Sequence, residues 1–164
     1  MALVNPKVPY VTIRDAILTL LRNNVTALNI GLDATNGGTF AAGGTTQIIP
    51  GDPRITPIPS GLYPVILVKI DTKQEKYLEL GNAGRKRPVI VFNIFGIVQN
   101  LVATPDTEIM YLTSNIEGIF RDNIQFDSNV QISGIGNARF GIGLTQETYV
   151  DIVQIDLACE VEVK

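Results

Sequence analysis

The groups with which this chain could do chemistry are few. Its 164 residues include sixteen Asp and Glu, thirteen Lys and Arg, one Cys and no His. Without histidine there is no Ser-His-Asp or Cys-His triad, no His-ligated zinc, no imidazole proton shuttle and no His-based pH switch. The carboxylates do not gather into an acid–base pair. Asp71, Glu75 and Glu79 alternate with Lys69, Lys73 and Lys76, the texture of a solvated, charge-balanced hairpin. Asp151, Asp156, Glu160 and Glu162 come mostly from the polar face of a strand, and no spacing proposes the paired carboxylates of a glycosidase. The glycine-rich stretches also fail as phosphate cradles. No Gly-Lys pair exists, so there is no Walker A loop, and Gly134-Ile135-Gly136 lacks both the third glycine and the strand-to-helix turn of a dinucleotide site. Nucleophile-elbow, zincin and EF-hand patterns are missing too. Cys159 falls among apolar strand residues and reads as a small buried hydrophobe; alone, it permits no internal disulfide. No catalytic, cofactor-binding or metal-ligating residue is expected, and the chain reads as a non-enzyme without a cofactor.

One dense cation cluster remains. Arg85-Lys86-Arg87 sits between Gly84 and Pro88, as at a loop tip. Such a cluster can be a solvated turn that discourages edge pairing. It can also touch DNA phosphates passing close by, or dock on an acidic surface of a neighbouring subunit such as one bearing Glu160 and Glu162. Three charges give only a shallow salt dependence, and a formal net charge of -3 has the wrong sign for a protein that wraps DNA or anionic lipid.

The elements that must position these groups follow from periodicity. Ile13, Ile17, Leu20, Leu21, Val25 and Leu28 recur at three- and four-residue spacing, which predicts an amphipathic helix over 11–28 with Thr12 as its cap. Residues 29–64 carry seven Gly and five Pro but only three charges, Asp33, Asp52 and Arg54. Prolines forbid a long helix there, and a loop of this length is usually functional or disordered. It reads either as a mobile loop with a short hairpin or as an arm that orders by lying across another subunit. Its low charge and apolar anchors, among them Phe40, Ile48 and Ile49, favour the arm.

Strands are predicted over 65–70, 76–80 and 89–99. A second helix is expected from Thr104, with Pro105 in its first turn, to about Asn123. Strands over 129–144 and 149–163 complete the chain. The order argues for one α+β domain spanning 1–164, with an antiparallel or mixed sheet, two amphipathic helices on one face and the 29–64 insertion. The 89–99 strand is apolar on both faces: Val89, Val91, Phe95 and Ile97 on one, Ile90, Phe92, Ile94 and Val98 on the other. Two helices cover one face, so the loop or a second copy must cover the other. Phe92 and Ile94 are therefore interface candidates, and replacing either by Asp is expected to abolish assembly while both helices persist. The start of the chain lacks the apolar run of a signal peptide, and 89–98 is too short to span a bilayer, so a soluble intracellular protein is expected.

In size and order of elements the chain resembles the tail terminator, or tail-completion, proteins of long-tailed bacteriophages. The likeness rests on the opening helix ValThrIleArgAspAlaIleLeuThrLeuLeuArgAsnAsn and on the strand pair around ArgLysArgProValIleValPheAsnIle. The second helix LeuThrSerAsnIleGluGlyIlePheArgAspAsn and the final strand AspIleValGlnIleAspLeuAlaCysGluValGluVal complete it. The resemblance implies a small α+β subunit, six copies of which form a ring that caps the tail tube and meets the neck under the capsid. It also implies a location in the virion after assembly in host cytoplasm, tail-tube and neck or connector proteins as partners, and DNA only as transient cargo through the lumen. Interface candidates are then Phe40, Ile48, Ile49, Arg85, Lys86, Arg87, Phe92, Ile94, Glu160 and Glu162. A tail-tube subunit or neck adaptor is the nearest alternative; a small ligand-binding or enzymatic domain is the rival from another class.

Overall fold

The computed structural model describes residues 8–35, 37–58, 62–77, 86–100, 106–145 and 148–161. Thr104, Pro105, Arg85 and Glu162, each given a role above, lie outside them. Ile13, Ile17, Leu18 and Leu21 form the buried stripe of α1 (Tyr10–Asn23). Thr12 lies within this helix and does not cap it; Pro9 holds the cap position. The predicted 11–28 helix breaks at Asn24, whose side-chain amide donates to the Leu20 carbonyl at 2.7 Å. A single turn, α2 (Val25–Leu28), follows. The second long helix, α3 (Thr107–Asp122), ends by the same device, the Asn123 amide donating to the Ile119 carbonyl at 2.8 Å. In both cases an asparagine satisfies a carbonyl that the terminating helix leaves without an intrahelical partner.

The strands are β1 (Ile48–Pro50), β2 (Val65–Tyr77), β3 (Lys86–Gln99), β4 (Val130–Thr145) and β5 (Thr148–Val161). They form one sheet in the order β1-β2-β3-β5-β4, with β1 parallel to β2 and every other pair antiparallel. The protein is therefore α+β with a mixed five-stranded sheet. The run expected at 65–70 continues through Asp71–Glu75 to Tyr77 as the single strand β2, with a register shift between Ile70 and Thr72; the rest of the run expected at 76–80 lies outside the described residues. Charged alternation in that stretch marked exposure, not a break. β1 was not among the predicted strands, since three residues ending in a proline carry too little pattern, and it pairs parallel to β2 instead of forming a short hairpin.

The main core joins Ile13, Ile17 and Leu21 of α1 to Leu112, Ile116 and Phe120 of α3 across Val68, Ile90, Phe92, Ile94, Ile155 and Leu157 of the sheet. Register places Ile90, Phe92 and Ile94 on one face of β3, opposite Cys159, Leu157 and Ile155 of β5. Burial pushes the Cys159 thiol up to about 12, which leaves it a protonated core side chain. Phe92 and Ile94 are completely buried beneath the helices, so they are core residues and not an exposed interface. A second, smaller cluster lies on the opposite face, where Phe95, Ile97, Leu67 and Val150 meet Tyr63, Ile49 and Ile58. The second face of β3 is thus covered at this end by the subunit's own Ile49, Ile58 and Tyr63.

That stretch belongs to a closely tied segment. Phe40 and Ile48 are buried in the main core of their own subunit, which corrects their assignment to a neighbour-reaching arm. Asn29 and Phe40 exchange two hydrogen bonds, at 2.7 and 3.0 Å. The Gln47 side chain accepts from Ala41 N and donates to the carbonyls of Thr39 and Pro64. Arg22 of α1 donates twice to the Ile48 carbonyl. The buried Asp52 carboxylate accepts from Arg54 and from Lys69 Nζ at 2.9 Å, fastening the segment to β2. Glycine and proline here serve turns inside a packed structure, and polar side chains take up the backbone groups that no sheet or helix satisfies.

Two predictions follow from this packing. Replacing Phe92 by Asp removes a buried aromatic and places a charge in the core, at a cost above about 4 kcal/mol. A circular dichroism melt of F92D should show no cooperative transition, with loss of helix as well as assembly. For Asp52, the Arg54 guanidinium first, then Arg54 N–H and Lys69, hold the carboxyl well below the usual carboxylate range. Its folded value is depressed, so its stabilisation is full above the ordinary value of 3.8 and is lost as pH falls through the folded value. Burial moves Glu108 the other way, so its contribution opposes that slope on acidification. The difference in melting temperature between wild type and D52N isolates the Asp52 part: it should be large at neutral pH and shrink below about pH 4.

Candidate functional site

Helix α3 has sixteen residues and spans about 24 Å, whereas β4, also of sixteen residues, spans about 50 Å. One helix cannot cover the whole hairpin that β4 makes with β5. Its stripe covers the first half of β4, where Val130, Ile135 and Ala138 join the main core. Beyond Ala138 the same face continues through Phe140, Ile142 and Leu144, paired to Val153, Asp151 and Tyr149 of β5. Among the described residues no helix covers these side chains. Met110 is 55% exposed, Phe140 58%, Ile142 70%, Leu144 62% and Tyr149 62%. At roughly 200 Å² per large side chain, the five expose on the order of 600 Å², the upper end of what a monomer's largest apolar patch shows.

At the inner margin of this patch lies a trough of about 580 Å³ lined by Asp106, Ile109, Met110, Phe140, Gly141, Ile142 and Asp151. The first turn of α3 forms one wall and the hairpin the other. Asp106 stands at the helix cap with φ 63°, a left-handed conformation that Asp adopts more readily than most residues. Asp151 is only 4% exposed, and its carboxylate accepts a hydrogen bond from Asn100 Nδ2 at 2.8 Å. No cation among the described residues pairs with it.

The outer edge of β4 adds to the character of this corner. β4 is an edge strand, and Arg139 is the one charge in its sequence. At the far side of the sheet β1 pairs only with Ile66–Val68, and the rest of β2 carries Lys69, Asp71, Lys73, Glu75 and Lys76. Charged side chains are a common guard for an open edge. One edge is guarded and the other is not.

The sequence-derived candidates are scattered with respect to this corner. Ile49 is half-buried in the second apolar cluster. Arg87 and Glu160 do meet, at 3.0 Å, but within one chain. The acidic surface expected on a neighbour is, for this pair, on the same subunit, because register sets Glu160 opposite Val89, two residues along β3 from Arg87. Lys86 opens β3 opposite Tyr77. On the second face Asn93 is 4% exposed, and its Oδ1 has no hydrogen-bond partner among the described residues. Phe140, Ile142, Leu144, Tyr149 and Met110 were missed. Their two-residue alternation in β4 was legible, yet it cannot say which stretch of a strand face a helix reaches.

No family model and no curated protein matches the sequence. Among the described residues, no group of three or more His, Cys, Asp or Glu side chains is placed to hold a metal ion, and no helix is long and apolar enough to cross a membrane. The corner combines exposed apolar area, an edge strand and two carboxylates. Since Ile142 is mostly exposed, Ile142→Ser should alter stability by no more than about 0.5 kcal/mol. The melting temperature should hold, while binding of a hydrophobic dye to the native protein falls.

Proposed function

We propose that this protein is a structural virion subunit, a tail terminator of a long-tailed bacteriophage, whose copies close into a ring that caps the tail tube and joins it to the neck. The observation that carries an assembly role is the uncovered apolar corner formed by Phe140, Ile142, Leu144, Tyr149 and Met110. An apolar patch of this size on a small subunit marks a contact surface. A further copy is the simplest occupant, because interfaces of about 800 Å² per partner are the ordinary size for stable association. The phage assignment rests on the resemblance in size, element order and helix and strand texture. A mildly acidic subunit also suits a ring through which DNA passes without being held. Tail-tube and neck proteins are then its partners in the virion, and it assembles in host cytoplasm.

Native mass spectrometry with negative-stain images tests the reading. One closed ring, six copies by the family likeness, is the expected product. Long open stacks would instead identify a tube subunit. A strict monomer at high concentration, with and without tail-tube protein, would overturn the assembly role.

A further inference from the structure

The chain closes one half of the β4 edge itself and leaves the other half open. The Ile124 carbonyl, in the turn after α3, accepts from Ser133 N at 2.8 Å, and Gln125 Nε2 donates to the Gln131 carbonyl at 2.7 Å. A register shift between Ile135 and Ala138 follows, which interrupts the repeat that another strand would need. From Ala138 to Thr145 the pairing is regular, and among the described residues no backbone bond besides those of the sheet reaches this stretch. One hydrogen bond shows which groups are open there. Asn100 N donates to the Tyr149 carbonyl, so the Tyr149 backbone groups point toward β3 and those of Val150 toward β4, where Val150 pairs with Gly143. Backbone groups alternate along a strand. Gly141 and Gly143 therefore bond to β5, while Phe140, Ile142 and Leu144 direct their N–H and C=O groups outward. These three also belong to the exposed apolar patch.

We infer that residues 138–144 of β4 pair antiparallel with the same residues of a second copy, across a two-fold axis at Gly141, so that two five-stranded sheets run on as one. The inference rests on the assembly reading and specifies its contact; a ring of six copies is then built from three such pairs. Three observations select this occupant. A row of open N–H and C=O groups calls for a strand, not for a helix or a smooth apolar surface. The stretch is also complementary to itself. With Gly141 at the axis, Phe140 lies beside Ile142 of the second copy and Ala138 beside Leu144, apolar against apolar at each rung on the helix side. On the other side Arg139, the one charge in β4, lies beside a glycine, Gly143, so no like charges meet. The third observation is area. The patch exposes on the order of 600 Å², and with the strand backbone added it approaches the about 800 Å² per partner of an ordinary stable contact. A self-complementary surface of this kind closes as a two-fold pair.

The test is made at Gly141 in the full chain. A Cβ added there meets nothing within 4 Å in the single subunit, whereas at the axis two such residues stand directly opposite, with Cα atoms about 4.5 Å apart. G141K and G141E should each melt cooperatively, close to wild type. Each alone should self-associate at least about tenfold more weakly than wild type in low-salt sedimentation, because like charges meet at the axis. Mixed, they should regain association near the wild-type level with the two variants in equal numbers, and added salt should weaken it. In associated wild type, hydrogen exchange read by NMR should show the Phe140, Ile142 and Leu144 amides newly protected, while those of Gly141 and Gly143 are protected at every concentration. If wild type associates while those three amides stay unprotected, or while the mixture gains nothing over either variant alone, this joint is wrong and the assembly reading stands. If wild type itself stays monomeric at high concentration, the assembly reading fails and the joint with it.

Discussion

Strand β3 is apolar on both faces, and neither face can be left to water. Most of the architecture answers that requirement. On one face Ile90, Phe92 and Ile94 are buried against the stripes of α1 and α3. On the other, Phe95 and Ile97 are buried by Tyr63, Ile58 and Ile49, supplied by the segment that connects α2 to β2. Burying large side chains of this kind stabilises by about 1.5–3 kcal/mol each. The central strand therefore dictates that the glycine- and proline-rich segment fold back on its own sheet. Gln47, Asn29, Arg22 and Asp52 then hold it there by satisfying backbone carbonyls and amides that no regular element pairs, Asp52 by accepting from Arg54 N.

Coverage ends where helix length ends. A residue advances a helix by less than half the distance it advances a strand. Two helices of 14 and 16 residues therefore fall short of strands of 13 to 16 residues laid beneath them. The shortfall appears at the β4–β5 hairpin, where the apolar alternation continues past the last helical contact. The same geometry places Asp151, the one acidic residue on the inward face of β5, under the margin of the patch instead of in the dry core. The result is a corner where exposed apolar side chains border an edge strand and two carboxylates, Asp106 and Asp151.

The candidate residues from the sequence divided according to how far each depends on distant packing. The α1 stripe and the strict alternation of β5 were legible because periodicity is local: Val153, Ile155, Leu157 and Cys159 are all buried, as their spacing required. The character of the 29–64 segment was not. Low charge and anchors such as Phe40 and Ile48 mark burial, but burial inside the same subunit and burial against another have one sequence signature. The Arg87–Glu160 pair likewise had the right chemistry, and register decided that both partners belong to one chain.

By itself the sequence determined the α+β class of the fold. A chain without histidine has no Ser-His-Asp or Cys-His triad and no His-ligated zinc. Its central strand had to be covered twice, and its alternations set which side chains share a face. Only the tertiary structure decided which residues do the covering and where the cover runs out. The physical reason is that hydrophobic burial is non-directional and indifferent to sequence distance. Periodicity names the face that must leave water; the lengths and crossings of the elements decide whether the subunit can supply the partner for that face. At Phe92 it can. At Phe140 and Ile142 it does not.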